Sequence, residues 1–172
     1  MSKFLIIFIS LTSLIGCDRV TKIQAIENLK NNEPLSYFGG MFKLTYHENI
    51  GAMLSLGSGL SDELRYYIFT IAAGVVLLSG LIYISIKPLP KLHLFLASLF
   101  IGGGFGNLYD RVFNDGAVVD FMLIVLGPVR TGVFNVADVA IMVGGIGLMI
   151  LSTDWGKQLT SQSTSRLRRW TR

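Results

Sequence analysis

Two aspartates in the second half of the chain occupy positions where a carboxylate is costly. Asp120 lies inside the apolar stretch 118–122, and Asp138 lies near the start of a long apolar run. A charged side chain at the centre of a membrane span costs about 2.5–3.5 kcal/mol on insertion scales, so acids there are usually paired, turned inward or functional. Asp120 and Asp138 are therefore the first candidates for chemistry.

Two carboxylates that lie close together have a specific chemical use. Like charges at short range cannot both ionise at low cost, so one carboxyl keeps a proton near neutral pH and the pair holds both an acid and a base. The base can take a proton from a water molecule that attacks a peptide carbonyl, while the acid protonates the carbonyl oxygen and later the leaving nitrogen. If folding brings Asp120 and Asp138 together, the expected reaction is peptide hydrolysis.

Asp138 also has a purely structural explanation. Asn135 could be the N-cap of the helix that begins there, with Asp138 at the third helical position, where a carboxylate reaches back to the cap and favours the helix dipole. The same dipole favours the charged form of Asp138, which makes it the candidate base. Capping explains one acid but leaves Asp120 unexplained, so both interpretations stay open.

A third polar group follows the glycine-rich segment 102–106. Asn107, Asp110 and Arg111 are spaced at i, i+3 and i+4 and would share one face of a helix. The alternative is an ordinary helix end, with glycines for close helix packing and an Arg–Asp pair at the membrane interface.

Composition indicates how these residues are positioned. The chain has 172 residues, of which 51% are hydrophobic and 15% charged, and its mean hydropathy is +0.56. These values predict a single integral membrane domain of residues 1–172. A span needs about 20 apolar residues. The predicted transmembrane helices are about 4–22, 66–86, 92–109 and 136–153.

The charges predict an orientation. Eight of the fifteen basic residues occupy the amino end, the short loop 87–91 and the tail 157–172, while ten of the eleven acids fall in the other connections or at the adjoining ends of the spans. The positive-inside rule then places both termini in the cytoplasm and the candidate site near the outer face. The tail arginines suit an anionic lipid surface, and this interpretation is favoured over nucleic-acid binding.

The long outer segment shows two patterns. Ile23, Ile26 and Leu29 have the spacing of a short amphipathic surface helix. Phe42, Leu44 and Tyr46 alternate with polar residues and predict a strand, with glycines on both sides for turns. A small sheet over the outer membrane face, at about 36–60, is expected.

Other catalytic chemistries find less support. One cysteine and two histidines in separate segments do not make a familiar zinc site, and the sequence lacks an HExxH pair, so no metal site is predicted. Ser58 lies in a glycine-rich outer loop without a paired base, which argues against serine chemistry.

Five ordered motifs resemble those of a known family. They are DRVTK (18–22), ENIGAMLS (48–55), GGGFGNLYDR (102–111), VVDF (118–121) and FNVAD (134–138). Together they are similar to the motifs of the lipoprotein signal peptidases, the signal peptidase II family, over about residues 4–153. Met53 and Leu54 depart from the family pattern, which commonly has a small residue followed by Phe there.

The resemblance implies a function. It implies an intramembrane aspartic endopeptidase of the bacterial cytoplasmic membrane that cleaves diacylglyceryl-modified prolipoproteins immediately before the lipidated cysteine. It implies no cofactor, a monomer in contact with membrane lipids, and inhibition by globomycin-type peptide antibiotics. The implied fold is an all-α membrane protein, a four-transmembrane-helix bundle with a small extracytoplasmic β-sheet cradle and a short amphipathic helix.

The resemblance also assigns roles to residues. Asp120 and Asp138 would be the catalytic dyad. Asp18 and Lys22 would hold structure. The residues implied to bind substrate or support the site are Asn49, Gly51, Asn107, Asp110, Arg111 and Asn135, of which Asp110 is expected to be mainly structural.

The segment LIGC, residues 14–17, resembles a lipoprotein signal sequence that ends in a lipid-acceptor cysteine. The alternative is that it is part of an uncleaved first transmembrane helix, with Cys17 as a small apolar residue. The second interpretation is favoured because Asp18 and Lys22 belong to the family motif and because cleavage would leave three predicted spans.

Two other functions remain as alternatives. Acids at helix ends also mark proton-coupled transporters, although the sequence shows no inverted repeat. A membrane-anchored binding module with inactive acids is the other alternative, and in that case replacing Asp120 or Asp138 by Asn should leave function intact.

Overall fold

A computed structural model describes residues 2–52 and 56–153. The predictions for the basic tail at 157–172 and for Met53 and Leu54 fall outside the described residues.

The described chain is mostly helical. Its second long helix, Asp62–Ile86, is continuous but contains a π-helical turn near its start. The helical elements are α1 (Lys3–Leu29), α2 (Asp62–Tyr66), the π-helical turn (Tyr67–Ala72), α3 (Ala73–Ile86), α4 (Lys91–Phe113) and α5 (Val136–Ser152).

Three helices in the described part are long and apolar enough to cross a membrane: Lys3–Leu29, Asp62–Ile86 and Lys91–Phe113. The fourth apolar helix, α5, has 17 residues and is about 26 Å long at 1.5 Å per residue. The architecture therefore has three to four apolar helices, and residues 66–86, 92–109 and 136–152 are helical.

The separate amphipathic helix predicted around residues 23–29 is not present as such. These residues are the last two turns of α1, which runs without interruption from Lys3 to Leu29. Asp18 and Lys22 do not end the helix because they form a buried ion pair of 2.8 Å with each other. Of the three apolar residues in the predicted pattern only Leu29 is buried, whereas Ile23 is exposed. The face turned to the protein instead carries Ala25 and Leu29, which pack against Phe121.

A four-stranded antiparallel sheet lies beside the helices. The alternating pattern at Phe42, Leu44 and Tyr46 is confirmed as part of β2. The strand order is β1-β2-β3-β4, with β1 at Leu35–Tyr37, β2 at Phe42–Asn49, β3 at Val118–Leu126 and β4 at Val129–Arg130.

Strand β3 carries Asp120 and was not assigned as a strand from the sequence. Its first four residues are buried, and a strand buried on both faces has a continuous apolar sequence without alternation. In the ladder with β2, His47 lies opposite Asp120 and Asn49 lies opposite Val118, after an irregularity between Leu44 and His47.

Glycines allow α4 to approach its neighbours closely. A Cβ atom at Gly144 of α5 would lie 2.6 Å from the Leu96 carbonyl oxygen and 2.7 Å from the Phe100 nitrogen. A Cβ at Gly106 of α4 would lie 2.9 Å from Asp18 Oδ2 of α1. The glycine-rich segment therefore packs helices, as the structural interpretation proposed, and it brings the polar ends of α1, α4 and α5 together.

Candidate active site

A short backbone bridge holds the two candidate acids near each other. Met122 of β3 and Phe134, just before α5, form an antiparallel bridge in which each backbone N–H donates to the other's carbonyl at 2.8 Å. Asp120 lies two residues before Met122, and Asp138 lies four residues after Phe134. The bridge therefore fixes strand β3 against the first turn of α5.

Asn135 contacts both aspartates. Its side-chain Nδ2 donates to Asp120 Oδ1 at 2.7 Å, and its backbone N–H donates to Asp138 Oδ2 at 3.0 Å. Its Oδ1 accepts from the Asp138 backbone N–H at 2.9 Å, so the predicted capping box is present. Asn135, which is fully buried, therefore caps α5 and also binds Asp120.

A second amide holds Asp120 from the side of strand β2. Asn49 Nδ2 donates to Asp120 Oδ2 at 3.1 Å. Asn49 Oδ1 accepts from the Gly51 backbone N–H at 3.0 Å, which orients the amide with its nitrogen toward the acid. Each carboxylate oxygen of Asp120 therefore accepts a hydrogen bond from a different asparagine.

The environment of Asp120 favours its protonated form. Burial, with only 1% of the residue exposed, and then the nearby charge of Asp138 raise the pKa of Asp120 from 3.8 to about 7, against the opposing hydrogen bonds from Asn49 and Asn135. Burial disfavours the charged form of a carboxyl because the carboxylate loses its hydration. One proton can therefore remain on this pair of acids near neutral pH.

Asp138 is linked to a buried lysine through Asn107. Lys22 Nζ donates to Asn107 Oδ1 at 3.0 Å, and Asn107 Nδ2 donates to Asp138 Oδ1 at 2.8 Å. An ammonium group can only donate, so the atom facing it must be the amide oxygen. Lys22 thus fixes the orientation in which Asn107 donates to Asp138.

Lys22 is also the centre of a buried ion network. Its Nζ lies 2.8 Å from Asp18 Oδ2 and 2.9 Å from Asp110 Oδ2, and all three side chains are at most 2% exposed. The network spans α1 and α4, and two carboxylates and an amide oxygen surround one ammonium. This is how a buried charge is tolerated, since desolvation is costly unless partners replace water.

The two acids of this network extend it to β3 and α5. Asp110 accepts from the Val119 backbone N–H at 3.1 Å and from Arg19 at 3.2 Å. Asp18 accepts from the Ala137 backbone N–H at 2.9 Å. Val119 directly precedes Asp120 in the sequence, and Ala137 directly precedes Asp138. The ion network therefore hydrogen-bonds to the backbone next to each candidate acid.

Arg111 does not form the ion pair with Asp110 that the helix-end interpretation supposed. Its guanidinium instead donates to the Gly51 carbonyl at 2.7 Å and to the Gly116 carbonyl at 3.2 Å, and lies 5.1 Å from the Phe69 ring centre. Arg111 also lines a cavity of about 420 Å³ together with Tyr66. It therefore joins the loop after β2 to the end of α4, at the edge of the acid pair.

All the residues singled out from the sequence meet in one connected set. Hydrogen bonds and ion pairs link Arg111, Gly51, Asn49, Asp120, Asn135, Asp138, Asn107, Lys22, Asp18 and Asp110.

Sequence reasoning missed several members of the site. It treated Lys22 as a structural residue and did not connect it to Asp138, although a lysine four residues after an aspartate in an apolar helix is a signal for a buried pair. Arg19 was not singled out. The donors at Val119 and Ala137 are backbone N–H groups, which leave no signal in a sequence.

The comparisons with known proteins agree in one family. The family described as signal peptidase (SPase) II matches residues 10–153. Lipoprotein signal peptidase of Clostridium acetobutylicum is 39% identical over 135 residues, covering 77% of this chain and 84% of that protein. Lipoprotein signal peptidase of Treponema denticola is 34% identical over 147 residues, covering 82% and 84%.

A solved structure is also similar. It is described as a bacterial membrane enzyme and aligns with a TM-score of 0.72 and 26% identity, over 86% of this chain and 93% of that one. The match of the family over most of the chain, together with relatives above 30% identity, shows that this chain belongs to the signal peptidase II family.

Proposed function

We propose that Asp120 and Asp138 are the catalytic dyad of an aspartic endopeptidase. As a signal peptidase II, the chain removes signal peptides from lipoproteins in a bacterial membrane. The observation that carries the assignment of the dyad is the contact of Asn135 with both acids, through its side chain to Asp120 and its backbone to Asp138. Family membership also removes the reason to prefer a transporter.

Asp138 is the proposed base. It lies in the first turn of α5 and accepts hydrogen bonds from Asn107 and from the Asn135 backbone. Donors and the amino end of a helix both favour a carboxylate. Asp120 is the proposed acid because its pKa, raised to about 7 by burial and by the charge of Asp138, keeps it largely protonated below neutral pH and about half protonated at pH 7.

The proposed reaction proceeds in two proton-transfer steps. Asp138 takes a proton from a water molecule as the water oxygen bonds to the scissile carbonyl carbon, and Asp120 gives its proton to the carbonyl oxygen. Asp138 then passes its proton to the peptide nitrogen and Asp120 recovers its proton from the hydroxyl group, as the carbon–nitrogen bond breaks. Both acids end in their starting states.

The proposed substrate is a diacylglyceryl-modified prolipoprotein, cut immediately before the lipidated cysteine. The backbone around the cleavage site would cross the dyad beneath the sheet, with Asn49, Gly51 and Arg111 at the edge where it enters. The lipid chains would lie toward the bilayer between helices. A globomycin-type peptide antibiotic would inhibit by occupying the same place, and no cofactor takes part.

We further propose that the chain is one monomeric domain with four spans and both termini in the cytoplasm. The short loop between α3 and α4 is basic, whereas the sheet, the dyad and the acids of the network gather at the other end of these helices. The positive-inside rule then gives a site near the outer face.

Cleavage of a purified prolipoprotein in detergent tests the function. One substrate carries the diacylglyceryl group on its cysteine, and a matched substrate has Ser at that position and cannot be lipidated. We expect the lipidated precursor alone to be cut, with the product masses placing the cut immediately before the cysteine. Equal cleavage of both precursors would refute the lipid requirement, and no cleavage of either would refute the proposed activity.

A further inference from the structure

An apolar groove lies between α3 and α4, at the end of these helices away from the dyad. It has a volume of about 310 Å³ and is also bordered by Leu148 of α5. Along α4 its lining runs from His93 to Ile101, which corresponds to about 12 Å at 1.5 Å per residue. Tyr83 and Val76, both more than half exposed, stand at its rim.

One polar atom at this groove has no partner among the described residues. His93 lines the groove, and its Nδ1 atom is buried without a hydrogen bond. Buried side-chain nitrogens and oxygens are nearly always hydrogen-bonded, and leaving one unsatisfied costs free energy. A polar group in the groove would pair with Nδ1 only if the imidazole ring rotated to expose this atom.

Three lysines surround the same end. Lys87 and Lys91 delimit the loop between α3 and α4, and Lys3 of α1 donates to the Lys87 carbonyl at 3.2 Å. Lys87 and Lys91 are exposed, and the described residues include no acid that pairs with any of the three. The loop at this end of the groove, which contributes Leu89 to its lining, thus carries concentrated positive charge.

We propose that this groove binds one anionic phospholipid, with an acyl chain between α3 and α4 and the phosphate held by Lys87 and Lys91. His93 lies on the lining of the groove, two residues after Lys91. The site lies apart from the dyad and binds a membrane component rather than the prolipoprotein, so it goes beyond the proposed function.

Charge favours an anionic lipid over the signal peptide of the substrate. Signal peptides begin with a positively charged region, which the lysines would repel, whereas they attract a phosphate.

Native mass spectrometry of the detergent-solubilised full chain tests the proposal. The protein is titrated with phosphatidylglycerol and with phosphatidylcholine of equal chain length, without prolipoprotein. We expect wild type to prefer the anionic lipid, and the double variant Lys87→Gln/Lys91→Gln to bind it about 30-fold more weakly, from about 1 kcal/mol for each lysine near a phosphate.

A control variant and a groove variant make the result specific. Lys43→Gln/Arg130→Gln removes the same charge from the sheet and should bind phosphatidylglycerol as wild type does. Gly80→Leu places a side chain at the groove, where a Cβ has only ordinary contact with Ile101 at 3.4 Å, and should weaken both lipids.

Three outcomes would overturn the proposal. They are equal affinity of wild type for the two lipids, equal loss in both double variants, and displacement of bound lipid by an unlipidated signal peptide. Because the titration contains no prolipoprotein, failure here leaves the peptidase assay unaffected, and failure of the peptidase assay leaves the lipid titration unaffected.

Discussion

The two acids of the proposed dyad differ in what surrounds each carboxyl group. Asp120 is 1% exposed on a buried strand, whereas Asp138 is only half-buried and lies at the amino end of a helix. Both accept hydrogen bonds from asparagines, so the difference between them comes from burial and from the helix terminus. This asymmetry is the physical basis for assigning the acid and the base.

The alkaline limb of the pH profile should report Asp120. Since its pKa is raised to about 7 by burial and by Asp138, the acid loses its proton above that pH, and kcat/KM should fall about tenfold per pH unit. Asn49→Ala removes a donor that favours the charged form, so the limb should move to higher pH. Steady-state kinetics from pH 5 to about 9 measure this. A limb that moves to lower pH in Asn49→Ala would contradict the assignment.

The same shift links stability to pH. The folded protein holds a proton on Asp120 that the unfolded chain releases above pH 3.8. The folded state therefore binds more protons between about pH 4 and pH 7, and its stability from this group falls as pH rises through that window.

Removing Lys22 should destabilise the protein strongly. Lys22→Met keeps an apolar stem of similar length but leaves Asp18 and Asp110 buried without their ammonium partner, at a cost of about 3–5 kcal/mol. Arg19→Gln also removes a cation from Asp110, but Arg19 is 39% exposed and its pair should contribute less than about 1 kcal/mol. Unfolding of both variants in detergent, monitored by circular dichroism, compares them. If both variants lost a similar, small amount of unfolding free energy, the buried Lys22 network would not be a major source of stability.

Some site residues could be predicted from their neighbours in the sequence, and others could not. Asp120 and Asp138 could be found because an acid in an apolar run is unusual. The orientation of Asn107 could not, because it depends on a lysine far away in the sequence that folding places beside it.

At the level of helices, the packing of α4 against α5 depends on glycine. Gly144 faces backbone atoms of α4 at 2.6 and 2.7 Å from a hypothetical Cβ, whereas Gly145 would place its Cβ no closer than 3.4 Å to the Phe100 ring. These neighbouring glycines therefore allow a matched comparison on one helix.

Gly144→Ala should destabilise the bundle and lower activity. An added methyl group forces the helices apart at a cost of about 1–3 kcal/mol, and the shift would move Asp138 at the start of α5. Gly145→Ala should be neutral or stabilise by up to about 1 kcal/mol, because Ala favours helix over Gly. Thermal unfolding and cleavage rates distinguish the two. A stabilised and fully active Gly144→Ala variant would disprove the close packing.

Two elements, α1 and β3, were predicted poorly from the sequence because of how their residues are buried. The predicted first span ended at about residue 22, whereas α1 continues to Leu29 because Asp18 and Lys22 neutralise each other inside the protein. β3 was not recognised because burial on both faces removes the alternation that identified β2. The long apolar runs, by contrast, lie on helices.

At the scale of the whole molecule, α1 runs from the α3–α4 loop at one end of the helix bundle to the candidate site at the other end. Its first residue, Lys3, contacts the loop between α3 and α4, and its later turns carry Asp18 and Lys22 into the site. Cys17 lies in the middle of this helix and is exposed. A cut before Cys17 would divide α1 one residue before the network that holds the dyad.

Cys17 should therefore be neither lipidated nor required. We expect Cys17→Ser to cleave prolipoprotein at the wild-type rate and to remain in the membrane, since the exposed thiol is the only part of the helix that changes. Intact-mass measurement of the wild-type chain should show that residues before Cys17 are retained. A wild-type chain beginning at a lipid-modified Cys17 would favour the lipoprotein interpretation instead.

The central claim is that Asp120 and Asp138 together perform the cleavage. The direct measurement is the rate at which purified wild type, Asp120→Asn, Asp138→Asn and Glu33→Gln cut a lipidated prolipoprotein in detergent. Glu33 is an exposed acid in the loop after α1, so its amide variant is the control for loss of a carboxylate charge. We predict at least about a thousandfold loss in each dyad variant, comparable with removing an acid–base or electrostatic group elsewhere, with folding and the Glu33→Gln rate unchanged. Near-wild-type cleavage by either folded dyad variant would contradict the claim.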